Sequence, residues 1–180
     1  MKLLLLFMSS MILLGFIGAG NNSEIIFQKE NYFPRLSGEN LNGKKYSIPD
    51  DLSGSIKIIA VGFDRNHQEI INTWIPVLDN ILDKENKIKL FELPIIYEMK
   101  YPGRIWLNNA MRIGIPDLKS RERTITIYTN RDFLIKELNL NITESYLFVI
   151  NNRGKILWLT SGPATEVKID FLKKLIELYI

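Results

Sequence analysis

The chain has 180 residues, no cysteine, one histidine and a formal net charge of +3. Hydrophobic residues at 46% and charged residues at 24% describe one ordinary globular domain with a sizeable core. Without cysteine there is no disulfide framework, thiol redox catalysis or Cys-ligated metal, and His67 alone makes neither a His-rich metal site nor a histidine-paired nucleophile. The sequence pI of about 9.0 comes without a clustered Lys/Arg motif, so nucleic acid is not the expected partner.

Residues 1–20 read as a signal peptide: Lys2, an apolar run over residues 3–17, then Gly18-Ala19-Gly20 as the cut site. This places the mature protein outside the cytoplasm, most simply in a periplasm. An uncleaved membrane anchor is the alternative, which would associate the chain with a membrane through this segment. Residues 21–32 form an N-terminal extension before a domain over residues 33–180. Asn42-Gly43 marks a two-residue hairpin turn, with Tyr46 and Ile48 alternating along a half-buried strand.

Residues 56–63 are an apolar run of the kind found in strands buried on both faces. The polar turn Asp64-Arg65-Asn66 follows. Ile70, Ile71, Trp74, Ile75, Val77, Leu78, Ile81 and Leu82 then share one helix face, with Pro76 expected to kink that helix. Trp74 reads as core. His67 reads as a solvated turn residue, with a general base as the competing reading. A strand-to-helix turn at a strand's carboxyl end is where many α/β proteins place their chemistry.

Residues 87–97 predict a further strand, which Pro94 should end or place near an edge. Residues 98–122 read as an insertion. It comprises a turn at Tyr101-Pro102-Gly103, a short helix over 105–113, a stop at Gly114-Ile115-Pro116-Asp117 and a solvated mixed-charge loop over 119–123. A strand over 124–128 and a helix through Leu138 follow, the helix capped by Thr129 or Asn130 with Phe133, Leu134 and Leu138 inward. The chain closes with a hairpin over 146–159, the break Ser161-Gly162-Pro163-Ala164, and a Thr165-capped helix with Phe171, Leu172, Leu175, Ile176 and Tyr179 on its apolar side.

The order hairpin, βαβ, insertion, α-β-β-α gives an α/β fold, and it resembles the thioredoxin topology: a central mixed sheet flanked by helices, with an N-terminal β-hairpin. In that resemblance the Cys-x-x-Cys position falls near Gln68-Glu69-Ile70-Ile71, and Ser145 stands where a cis-proline belongs. Several motifs narrow the likeness. They are Phe33-Pro34 with Asn42-Gly43-Lys44, Trp74 and Pro76, residues 112–117, residues 123–129, Gly154-Lys155-Ile156-Leu157-Trp158, and Ser161-Gly162-Pro163-Ala164-Thr165. Over residues 33–178 the chain is similar to the mitochondrial ATP synthase assembly-factor ten family. That resemblance implies a thioredoxin-like protein without a thiol pair or cofactor, assisting membrane subunit a of the F-type ATP synthase. One departure is the secretory signal in place of a mitochondrial targeting segment.

The leading expectation is a non-catalytic binding module for a protein client. Asp64, Asn66, His67 and Gln68 form the candidate rim, and the resemblance adds Arg104, Arg112, Asp117, Arg123, Ser161, Gly162 and Pro163. The plainer reading makes the arginines solvated surface and the Ser-Gly-Pro segment a strand-to-helix turn. The alternative function is an extracytoplasmic enzyme of non-thiol chemistry using His67 with Asp64 or Glu69. A third reading docks apolar and basic surfaces on a membrane.

Overall fold

The computed structural model describes residues 32–179; the expected signal peptide, its cut site and residues 21–31 of the extension lie outside the described residues. Seven strands form one mixed sheet in the order β2-β1-β5-β4-β3-β6-β7. At one edge, β1 (Leu36–Asn40) and β2 (Lys45–Ile48) make the N-terminal hairpin. Its loop is wider than the expected two-residue turn, since Glu39 pairs with Lys45. The Asn40 side chain accepts from the backbone N–H groups of Asn42 (3.1 Å) and Lys44 (2.8 Å), closing residues 41–44 around Gly43 at φ 89°. Only the glycine's freedom at positive φ carries over from the simpler prediction.

Every residue of β3 (Ile56–Gly62) is buried. It lies between β4 (Ile88–Tyr97), parallel, and β6 (Tyr146–Asn151), antiparallel, and both of its faces are covered. Ile59 and Val61 join one core with Leu93, Ile127 and Phe148; Ile58 and Ala60 join a second with Trp74, Leu78, Trp158 and Leu172. The continuous apolar run follows from that double burial.

Proline chemistry revises three expectations. The long kinked helix is two helices, α1 (His67–Asn72) and α2 (Ile75–Lys84). Pro76 occupies the first turn of α2, where no backbone N–H is due to bond within the helix, so it starts a helix instead of bending one. Tyr101-Pro102-Gly103 likewise opens a 14-residue helix, α3 (Tyr101–Gly114), for the same reason. Pro94 neither ends β4 nor marks an edge, because β4 is the central strand. The proline sits where β4 changes neighbours: pairing with β3 ends at Gly62↔Pro94 and pairing with β5 (Ile125–Thr129) resumes at Ile95↔Ile127. The missing N–H falls at that hand-over.

The expected solvated loop over 119–123 is also helical, α4 (Leu118–Arg123), because Asp117 caps it by accepting from the Ser120 N–H at 2.7 Å. Asn130 caps α5 (Arg131–Glu137) in the same way. Leu134 of α5 is buried, but Phe133 is 63% exposed, correcting its inward assignment. Adjacent helical positions lie about 100° apart, and the inward stripe runs through Leu134 and Leu138. The hairpin of β6 with β7 (Ile156–Ser161) and the closing helix α6 (Glu166–Tyr179) stand as expected. Tyr179, at the end of α6, faces solvent rather than the core.

Candidate functional site

The carboxyl end of β3 leads through Phe63 into the polar turn, where Asp64 Oδ1 accepts from the Asn66 N–H at 2.8 Å. The local turn places His67 at the start of α1, yet its side chain turns inward. His67 is 6% exposed, and its Nδ1 accepts from the backbone N–H of Phe63 at 3.1 Å. It is therefore a buried acceptor and not a solvated turn residue. Gly62 packs closely here: a Cβ there would stand 3.4 Å from both His67 Cβ and Ile71 Cδ1, at contact distance. The Phe63 carbonyl accepts from Arg131 Nη1 at 3.0 Å, so both backbone groups of Phe63 are satisfied by side chains. The Nδ1 lone pair that a general base would use is occupied by this backbone bond.

Gln68 points along the sheet instead. Its Nε2 donates to Asn72 Oδ1 (3.0 Å) and Glu92 Oε2 (3.3 Å). Arg123 meets the same carboxylate, Nε to Glu92 Oε1 at 2.9 Å, and also reaches Asp79 Oδ1 at 3.2 Å. Gln68 and Arg123, far apart in sequence, thus share Glu92, which is 7% exposed. Glu92 was missed from the sequence. Its signal is a lone carboxylate at the middle of a strand whose one other charged residue is Lys89, a group that must find partners when buried.

The Ser161-Gly162-Pro163 segment is fastened to the break between α1 and α2. Trp74 Nε1 donates to the Gly162 carbonyl at 3.0 Å, and the Ala164 N–H donates to Thr73 Oγ1 at 2.9 Å. Gly162, at φ 73°, donates its N–H to the carbonyl of buried Ser145 at 3.0 Å. Lys168 Nζ reaches the Ser161 carbonyl at 2.6 Å and that of Pro163 at 3.2 Å. Burial lowers the Lys168 pKa. Trp74 is core, as expected, and also the pin that holds this loop. Asp64, Asn66, Gln68 and Pro163 remain exposed along this part of the rim. The one cis peptide bond among the described residues is Ile48–Pro49; Ser145 has no such role.

Arg104, Arg112 and Asp117 lie elsewhere, in the α3–α4 layer beside β1 and β5. Arg104 Nε donates to the Met99 carbonyl at 2.8 Å, and its guanidinium sits 4.9 Å above the Tyr128 ring. Arg112 Nε donates to the Leu41 carbonyl and Nη1 to Asn109 Oδ1 at 2.9 Å. Asp117 spends its carboxylate on the α4 cap; that backbone bond holds its pKa below the usual aspartate value. These three, expected to face a partner, hold the inserted helices in place. Behind α3 runs an open groove of about 820 Å³ bordered by Glu39, Lys45, Arg104 and Tyr128. Burial raises the Tyr128 pKa, and its hydroxyl donates to Asn108 Oδ1 at 2.8 Å. Among the described residues, no three His, Asp or Glu side chains cluster as a metal site.

Comparison with solved structures finds the same fold at low identity. Yeast Sco1 is 14% identical with a TM-score of 0.55, covering 83% of this chain and 96% of that one. A putative thiol:disulfide interchange protein DsbE from Chlorobium tepidum is 13% identical with a TM-score of 0.51, covering 84% and 97%. A putative electron transfer protein from Aquifex aeolicus VF5 is 13% identical with a TM-score of 0.55, covering 82% and 96%. The fold is thioredoxin-like. No curated protein matches the chain. The family model described as "ATP10 protein" matches residues 17–178. The chain belongs to the ATP10 protein family.

Proposed function

We propose that this chain is a non-catalytic ATP synthase assembly factor that holds a membrane subunit of the complex, subunit a in the reading the family implies, while the subunit is built in. The observation that carries the reading is the family match over residues 17–178 on a scaffold without cysteine. A thioredoxin-like junction without a thiolate has no nucleophile for disulfide exchange. Here the groups at that junction are spent on the fold: His67 on Phe63, and Trp74 on Gly162. The exposed rim of Asp64, Asn66 and Gln68, beside Pro163, presents polar side chains to solvent, which suits holding a polypeptide.

The Lys2, apolar and small-residue pattern of residues 1–20 supports an extracytoplasmic location, from which the factor would meet its client at the membrane. The test is deletion of the gene with quantification of assembled F-type ATP synthase in native gels. Assembled complex should fall sharply and return with the wild-type chain and with His67→Gln. Normal assembly in the deletion strain would overturn the proposal.

A further inference from the structure

Helix α3 is amphipathic in the reverse sense for a surface helix. Its inward side carries Arg104, Asn108 and Arg112, four residues apart, which bond Met99, Tyr128 and Leu41, together with half-buried Leu107 and Met111. Its exposed positions are apolar apart from Asn109. Tyr101 is 75% exposed, Trp106 71% and Ile113 84%; Ile105 and, beyond the helix, Leu118 extend the ridge. A surface helix normally buries its apolar stripe and shows water its polar one. Here polar bonds hold the helix and leave the apolar side free. Contiguous apolar surface of this kind marks an interaction site.

We infer that the outward ridge of α3 is a docking surface for the headgroup region of an anionic phospholipid bilayer. Charge complementarity selects this occupant. Residues 100–121 carry Lys100, Arg104, Arg112, Lys119 and Arg121 against the single acid Asp117, whose carboxylate is engaged in the α4 cap. Just before them, Glu98 is paired with Arg104 at 3.8 Å. Lys100 and Lys119 stand exposed beside the ridge, where basic side chains meet anionic lipid. Tyr and Trp with apolar bodies and polar edges are the residues that settle at a membrane–water boundary. The groove beside the ridge has a mixed lining, with Tyr101 and Ile105 on its border and Glu39, Lys45, Arg104 and Arg112 along it. A wholly apolar client helix laid in that groove would meet these charged side chains. No helix among the described residues is long and apolar enough to cross a membrane, so the contact is one of lying on the surface. The inference goes beyond the client reading and does not depend on it.

The tryptophans provide the assay. Trp74 and Trp158 are buried and Trp106 is exposed, so iodide-accessible emission from the full chain reports on Trp106. The full chain is mixed with vesicles of phosphatidylglycerol and phosphatidylcholine, with and without brominated acyl chains. Trp106 should shift to the blue, become shielded from iodide and be quenched by the brominated lipid. Ile105→Glu/Ile113→Glu should weaken that partition by ~10-fold or more. Circular dichroism checks its folding, and Lys100→Glu/Lys119→Glu, which leaves the ridge untouched, should also weaken binding. Sedimentation of the chain with Trp106 still open to iodide would mean that residues 1–20 alone bind lipid, and would overturn the proposal. So would equal binding to pure phosphatidylcholine, or shielding of Trp106 by detergent-solubilised subunit a but not by vesicles. Normal ATP synthase assembly on deletion, with lipid shielding intact, would sink the client reading alone.

Discussion

Trp74 and Trp106 stand for two regions of this molecule that treat the same side chain in opposite ways. At the end of β3, Trp74 is buried against Trp158, with ring centroids 6.3 Å apart, and pins the Gly162 carbonyl. On α3, Trp106 stands in solvent while arginines and an asparagine face inward. The first region lies where the fold's relatives by resemblance keep their reactive thiols. Here its polar groups bind backbone and carboxylate partners within the domain. The second region lies in the insertion, and its energetic logic is inverted: polar contacts hold it in place and apolar contacts are on offer. The buried groups at the junction serve as framework beneath an exposed polar rim, and α3 carries a separate, apolar surface.

The contrast is most open to attack through the tryptophans themselves. Trp74→Ala should cost about 3–5 kcal/mol in urea denaturation, as expected for a large buried side chain, whereas Trp106→Ala should stay within about 0.5 kcal/mol. Comparable losses would erase the distinction. Next in size is the carboxylate hub. Arg123→Ala strips Glu92 of its ion pair and should cost about 2–3 kcal/mol, below the full range for a buried pair because Arg123 retains 21% side-chain exposure. Adding Glu92→Gln should restore much of that loss, because the remaining group is neutral. A smaller effect tests the inward role of His67. His67→Ala leaves the buried Phe63 N–H without its acceptor and should cost about 1–3 kcal/mol, with faster exchange of that amide and unchanged ATP synthase assembly. Loss of assembly in a chain that remains folded would return weight to an enzyme reading.

The smallest expected effect lies at the α4 cap. Asp117 has a folded pKa below 3.8, so its contribution is fully present above that value and is lost as pH falls through the lower, folded-state one. Acidification through that window should loosen Ser120, and Asp117→Ala should remove this part of the pH dependence; exchange at the Ser120 amide measures both.

Much of the fold was legible because its signals are local or periodic. The apolar run of β3, the positive φ of Gly43 and the Thr165 cap each depend on a few neighbouring residues. Proline positions were read for the wrong consequence. A proline in sequence reports that a backbone N–H is missing; whether this opens a helix, as at Pro76 and Pro102, or falls at a change of strand partners, as at Pro94, depends on neighbours far along the chain. The site was legible in place but not in role. His67 and Gln68 lie at the predicted junction, yet their partners, the Phe63 N–H and Glu92, follow from folded geometry. The exposed ridge of α3 was hidden by a convention: Ile105, Trp106 and Ile113 at helical spacing ordinarily mean core. Nothing local says that Arg104, Asn108 and Arg112 would take the inward side.

The most direct test of the central claim replaces Gln68 with a photoreactive residue in living cells and identifies what it captures. The equivalent change at Lys84, at the far end of α2, serves as the control. The account predicts capture of ATP synthase subunit a from the rim position and not from the control. Capture of no ATP synthase subunit, by a chain that still supports assembly, would contradict it.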